Sequence, residues 1–309
     1  MSHRPEPPLN LEALAACLSS GACAVTQVST ALIIGMLLFM VASGLSLIFG
    51  VLGVINFAHG AFYMVGAYFA FAAYQATSSF LLALLAGAVG VGLIGIIFER
   101  FVISRVYGGD VLMQLLVCYA AILIFDDLVK IVAGPEYKMM GMPESFALPP
   151  IEIAGGFIPA YYAFMILASL AIGAILWLGI EKTRLGKIVR ALAVNPQMVG
   201  ALGINTTMLY AGVFGVGSML AGIAGALAAP TRTLTPGMGL SILIESFIVT
   251  VIGGMGSIFG ALVAALIIGF VRAFGAIGFP LFVDGLMFAM MALILVLKPS
   301  GLFGREPAR

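Results

Sequence analysis

The chain has 309 residues, of which 62% are hydrophobic and 9% charged, with a formal net charge of +1. A soluble domain carries about a quarter charged residues. The stretch from Ala13 to Phe98 holds no Lys, Arg, Asp or Glu at all, so a water-soluble fold is excluded and a polytopic membrane protein is indicated. The basic residues form one short patch and no broad field, which speaks against a nucleic-acid partner.

In chain order, the first 28 residues do not read as a cleavable signal. Arg4 is the only basic residue ahead of the first apolar stretch, and Glu6 and Glu12 follow it. Cys17 and Cys23 would pair if this end faces an oxidising compartment. Cys118, in an apolar run, reads as packing.

Apolar runs of about the 20 residues a crossing needs fall near 29–50, 60–78, 80–98, 111–133, 160–180, 207–229, 241–256, 257–276 and 279–298. Two stretches are irregular, Gly50–Gly60 (GVLGVINFAHG) and Gly253–Gly260 (GGMGSIFG). Irregular backbone at membrane depth survives only where it is buried in protein or lines a cavity. The expected fold is all-α and polytopic, with eight or nine transmembrane helices. The number depends on whether 241–256 crosses fully or re-enters.

Short-loop Lys and Arg set the orientation. Arg100 and Arg105, the four basic residues of loop 181–206, and Lys298, Arg305 and Arg309 all belong on the cytoplasmic side. Loop 134–159 holds Lys138 against Glu136, Glu144 and Glu152 and belongs outside, with prolines and glycines that suit a short hairpin. Loop 230–240, with Arg232 alone, also belongs outside. The N-terminus then lies outside and the C-terminus inside if the count is odd.

Several polar residues interrupt the apolar runs. Asn56, His59 and Gly60 either line a translocation path at a broken helix or act as glue between helices. His59 is a poor metal-ligand candidate, since the other histidine is His3 in the N-terminal segment. Asp126 and Asp127 precede Lys130 at helical spacing, which favours local neutralisation near the outer surface. Glu245 and Asp284 read as lone acids near helix ends, anchoring at the interface.

The densest positive charge falls in Glu181–Asn205, where Lys182, Arg184, Lys187 and Arg190 lie within nine residues. On a helix, Leu185, Ile188, Val189 and Leu192 share one face, with Lys187 and Arg190 opposite. Asn195 followed by Pro196 is a helix-start signal, and Gly203 suits a helix stop. Fixing topology needs only two or three basic residues. An amphipathic helix followed by a capped second one reads as a docking element. The chain has no G-x-x-x-x-G-K-[ST], no G-x-S-x-G and no H-E-x-x-H, so an ATP site of the P-loop type is excluded and energy, if used, comes from another subunit.

The pattern RLGKxxRAxxxNPxxxxAxGIN from Arg184 to Asn205 resembles the coupling loop of ABC importer permeases, closest to the H-type subunit of the branched-chain amino acid family. Gly44–Tyr68, GGMGSIFGA at Gly253–Ala261 and KPSGLFG at Lys298–Gly304 resemble three further family stretches. The likeness covers 29–304 as one permease domain, with 181–206 as its coupling loop. Residues 1–28 lie outside the pattern, and 305–309 form a cytoplasmic tail. The family more often has Lys where this chain has Glu245.

The resemblance implies a multi-pass permease of the bacterial inner membrane. Its implied partners are a second permease (sister or self), two cytoplasmic ABC ATPase subunits, a periplasmic solute-binding protein and the lipid bilayer. It implies no cofactor or metal on this chain and no catalytic residue, with ATP and Mg on the partner subunits. Its substrate would be a branched-chain or other small amino acid, although relatives take urea, amides or aromatic acids. It implies a coupling role for Lys182, Arg184, Gly186, Lys187, Arg190, Ala191, Asn195, Pro196 and Gly203. Asn56, His59, Gly60, Gly253, Gly254 and Gly256 are candidates for the translocation path. A stand-alone secondary transporter or channel needs coupling acids at the midplane, and an intramembrane lipid enzyme needs a second acidic or His cluster.

Overall fold

The computed structural model describes residues 10–304. His3, Arg4, Glu6, Arg305, Arg309 and the expected tail at 305–309 lie outside the described residues. The chain runs α1 (Leu11–Ser19), α2 (Gly21–Leu52), α3 (His59–Thr77), α4 (Phe80–Phe101), α5 (Val111–Ala133), β1 (Ile151–Ile153), β2 (Gly156–Ile158), α6 (Ala160–Lys182), α7 (Arg184–Val194), α8 (Pro196–Ala201), α9 (Thr206–Ala228), α10 (Met238–Gly253), α11 (Ile258–Gly278) and α12 (Val283–Leu297). The strands form the expected antiparallel hairpin, Ile151 opposite Ile158.

Among the described residues, six segments are long and apolar enough to cross a bilayer: Gly21–Leu52, Phe80–Arg105, Ala160–Lys182, Thr206–Ala228, Ile258–Gly278 and Pro280–Leu297. Against the expected eight or nine crossings, these six qualify on length and apolarity together. α10 has 16 residues, a rise of about 24 Å against a hydrocarbon core of about 30 Å. α2 begins eight residues ahead of its expected start. Its first turns stand against the hairpin, where a Cβ on Gly156 would meet Val25 Cβ at 2.9 Å.

The two ends of the bundle differ. One end, the hairpin end, gathers β1–β2, α1 and the outer turn of α11, where Asn10 N donates to Gly278 O at 2.9 Å. Cys17 and Cys23 form a disulfide there, closing the α1–α2 corner with Cα atoms 5.1 Å apart. The other end carries α7 and α8, the start of α9 and the chain after α12.

α2 and α9 are the most enclosed spans, each 83% buried over its apolar window, whereas that of the last span is 6% buried. The core works by close backbone approach, as small residues allow in lipid, where burying apolar surface drives little. A Cβ on Gly66 of α3 would lie 2.5 Å from Gly222 Cα of α9. One on Gly87 of α4 would meet the carbonyls of both, at 3.0 and 3.1 Å. Gly215, Gly217, Gly222 and Gly225 of α9 therefore serve close packing. Beneath this junction Phe62, Phe98, Phe125 and Phe214 join α3, α4, α5 and α9, with ring centroids 5.5–6.2 Å apart.

Candidate functional site

The helix pair α7–α8 is built from local capping. Thr183 Oγ1 accepts from Gly186 N at 3.0 Å and starts α7. Asn195 Oδ1 accepts from Met198 N at 2.9 Å and starts α8, with Pro196 at the first helical position. Gly203 takes φ +80° past the end of α8, and Asn205 caps α9 by accepting from Met208 N at 3.0 Å. Each side-chain cap contributes about 1 kcal/mol, so five residues without long side chains fix the loop's path.

Its mounting on the bundle is tertiary. A Cβ on Gly186 would overlap the carbonyl oxygens of Gly179 and Ile180 and lie 2.6 Å from the Ile180 carbonyl carbon. Only glycine lets α7 sit this close to the end of α6. Arg190 donates through Nη1 to Ile180 O at 2.8 Å and to Glu181 Oε2 at 2.5 Å. The division into an apolar and a basic face therefore needs correction. Val189 and Leu192 are buried as expected, but Leu185 is 67% exposed and Arg190 folds back onto α6. The free surface of the pair mixes Leu185, Val194, Met198 and Leu202 with Arg184, Lys187 and Ala191. Lys182 Nζ lies 5.9 Å from the Trp177 ring centre.

The break after α2 lies inside the bundle. α2 ends with Gly53 at φ +68°, and Val54, Asn56, Ala58 and His59 are buried. His59 Nε2 donates to Val41 O of α2 at 3.0 Å, and Asn56 Oδ1 accepts from Ala58 N at 3.1 Å. Asn56 Nδ2 and His59 Nδ1 are buried without a partner, unusual for groups whose only role is to join helices. Gly60 packs against Gly239 at the start of α10.

Gly253, Gly254 and Gly256 form the α10–α11 turn at the α7 end. The chain after α12 pins it: Leu302 N donates to Ile252 O at 2.8 Å and Phe303 N to Gly253 O at 3.0 Å. Gly256 N donates to Ser46 Oγ of α2 at 3.0 Å. A cavity of about 400 Å³ separates this turn from α7, with Met255, Gly256 and Ser257 on one wall and Val189, Arg190 and Val194 on the other.

The charged residues within the spans sort differently from expectation. Lys130 pairs with Asp127 at 2.9 Å, as the spacing suggested, but Asp126 keeps a buried Oδ1 without a partner. Asp284 stands exposed in the first turn of α12. Glu245 is no lone acid near a helix end. It lies in the middle of α10, 7% exposed, and pairs with Arg272 of α11. Arg272 was not singled out from the sequence, although it is the one charged residue between Glu245 and Asp284. Tyr107, also not singled out, lies at the α7 end and donates to the buried Glu99 at 2.6 Å. Burial, then that carboxylate, push its phenol well above the usual range, so it stays a donor at any physiological pH.

The arrangement offers a rigidly mounted surface helix pair facing a turn that leads into two packed helices. Residues 27–295 match the family model for the branched-chain amino acid transport system permease component. The chain is 29% identical to the high-affinity branched-chain amino acid transport system permease protein BraD of Pseudomonas aeruginosa, over 90% of this chain and 95% of that protein. It is also 29% identical to the corresponding protein LivH of Escherichia coli, over 86% of this chain and 91% of that protein. Among solved structures, PsaBC from Streptococcus pneumoniae in complex with Fab superposes with a TM-score of 0.50 at 10% identity, covering 93% of this chain and 94% of that one, a likeness of fold alone.

Proposed function

The chain belongs to the branched-chain amino acid transport system permease family, and from that premise we propose that it is the permease subunit of an ATP-driven importer for branched-chain or other small amino acids. It works with a second permease, itself or a sister, in the bacterial inner membrane. ATP and Mg²⁺ are handled by two cytoplasmic ATPase subunits, and a periplasmic binding protein delivers the solute at the hairpin end.

The observation that carries the reading is the α7–α8 pair, whose exposed face combines Leu185, Val194 and Met198 with Arg184 and Lys187. Apolar anchors ringed by charge suit a protein partner better than bare topology marking. Gly186 and Arg190 hold α7 to α6. A pull on α7 therefore moves α6 and, across the cavity, meets the turn between α10 and α11. Packed helices pass such motion on as small rigid shifts. Asn56 and His59, buried with unpaired polar atoms, are the groups at the break before α3 that a passing solute would meet.

The test is to place Leu185→Asp and Lys187→Glu on the exposed face of α7. ATPase co-purification and vesicle uptake should both be lost while the permease still inserts and folds. Wild-type retention of both would remove the docking role.

A further inference from the structure

We propose that Glu245 and Arg272 form a recognition site for the two charged groups of a zwitterionic amino acid, at the entrance to the translocation path. The inference rests on the importer reading above and names the residues that would read the solute.

The position suits an entrance. Glu245 lies seven residues from the start of α10 and Arg272 six from the end of α11. At 1.5 Å per residue, Arg272 is about 9 Å below the hairpin end, where Gly278 meets Asn10 and which the importer reading places outside, and Glu245 reaches it from α10. The Glu245–Arg272 pair carries no net charge, which favours a neutral zwitterion over a free cation or anion.

The chemistry is matched at the level of atoms. Glu245 is more than nine-tenths buried, and its Oε2 has no partner within the bundle. Arg272 keeps 32% of its side chain exposed, while its Nη1 is buried against Glu245. A guanidinium takes a carboxylate through two parallel N–H donors, and a carboxylate oxygen takes an ammonium. An α-amino acid inserted between them replaces one ion pair with two. A purely structural ion pair between two packed helices in lipid has no use for an unpaired carboxylate oxygen.

The experiment uses the assembled complex of permeases, ATPases and binding protein in proteoliposomes, with leucine as solute. Uptake and ATP hydrolysis are measured together for wild type and for Glu245→Gln/Arg272→Met, which removes both charges at once and leaves neither side chain facing a bare charge. Loss of recognition should leave hydrolysis stimulated by loaded binding protein within about twofold while leucine uptake falls about tenfold or more, so that ATP spent per leucine rises about fivefold or more. Arg272→Lys keeps the positive charge but loses the planar fork, and should raise that ratio about threefold or more. A ratio that stays at the wild-type value in both variants, with the two activities falling together or not at all, overturns the proposal. Wild-type complex that hydrolyses ATP on addition of loaded binding protein and moves no amino acid would instead overturn the importer reading.

Discussion

Gly186→Ala tests how the surface pair is mounted. The added Cβ would lie 2.6 Å from the Ile180 carbonyl carbon and overlap two carbonyl oxygens. Carbon–carbon contact wants about 3.5 Å, so α7 must move off α6 by about 1 Å. That displacement stretches the Arg190–Ile180 hydrogen bond, now 2.8 Å, beyond bonding range. Overpacking of this kind costs about 1–3 kcal/mol. If the strain is relieved by rotating α7, the same energy appears as weaker docking, about 5- to 150-fold. Gly212→Ala is the control, since it makes the same chemical change in a helix where nothing lies within 4 Å of the new Cβ. ATPase co-purification from detergent and ATP-driven uptake should fall in Gly186→Ala and stay at wild-type level in Gly212→Ala. Equal behaviour of the two variants would refute the close mounting of α7 on α6.

Replacing one partner of the Glu245–Arg272 pair, as in Arg272→Met, should destabilise the permease by about 3–5 kcal/mol, because a buried carboxylate is left uncompensated; the paired replacement should unfold later on heating than that single one. Cys17 and Cys23 should resist a membrane-impermeant maleimide in intact cells until an impermeant reductant is added. Labelling without reduction would open the α1–α2 corner, and labelling only after lysis would place it on the other side of the membrane. Asn195→Ala removes the acceptor for Met198 N and should cost about 1 kcal/mol, read as faster protease cleavage between α7 and α8 in inside-out vesicles. His59→Ala should lower uptake with assembly intact; unchanged uptake would return His59 to packing.

Much of the helical layout was legible because lipid imposes one rule, that backbone groups be satisfied within each segment. The expected runs 111–133 and 207–229 lie within one residue of α5 and α9. The caps at Asn195 and Pro196 were equally readable, since a cap is settled within four residues of chain. The α1–α2 disulfide was only one option, because pairing depends on which corner the backbone turns. Asp126 and Asp127 looked alike in sequence, yet one pairs with Lys130 and the other points inward. Adjacent residues on a helix face directions 100° apart, and only the neighbours decide what each direction means.

The sequence by itself determined a multi-pass helical membrane protein with a capped basic loop, since apolar length, charge placement and capping act over short stretches of chain. Only the tertiary structure turned Arg190 from a free charge into a clamp on α6, pinned the glycine turn with the chain after α12, and joined Glu245 to Arg272. Each of these links crosses between helices, and the partner of a buried charge is set by which helix packs beside it.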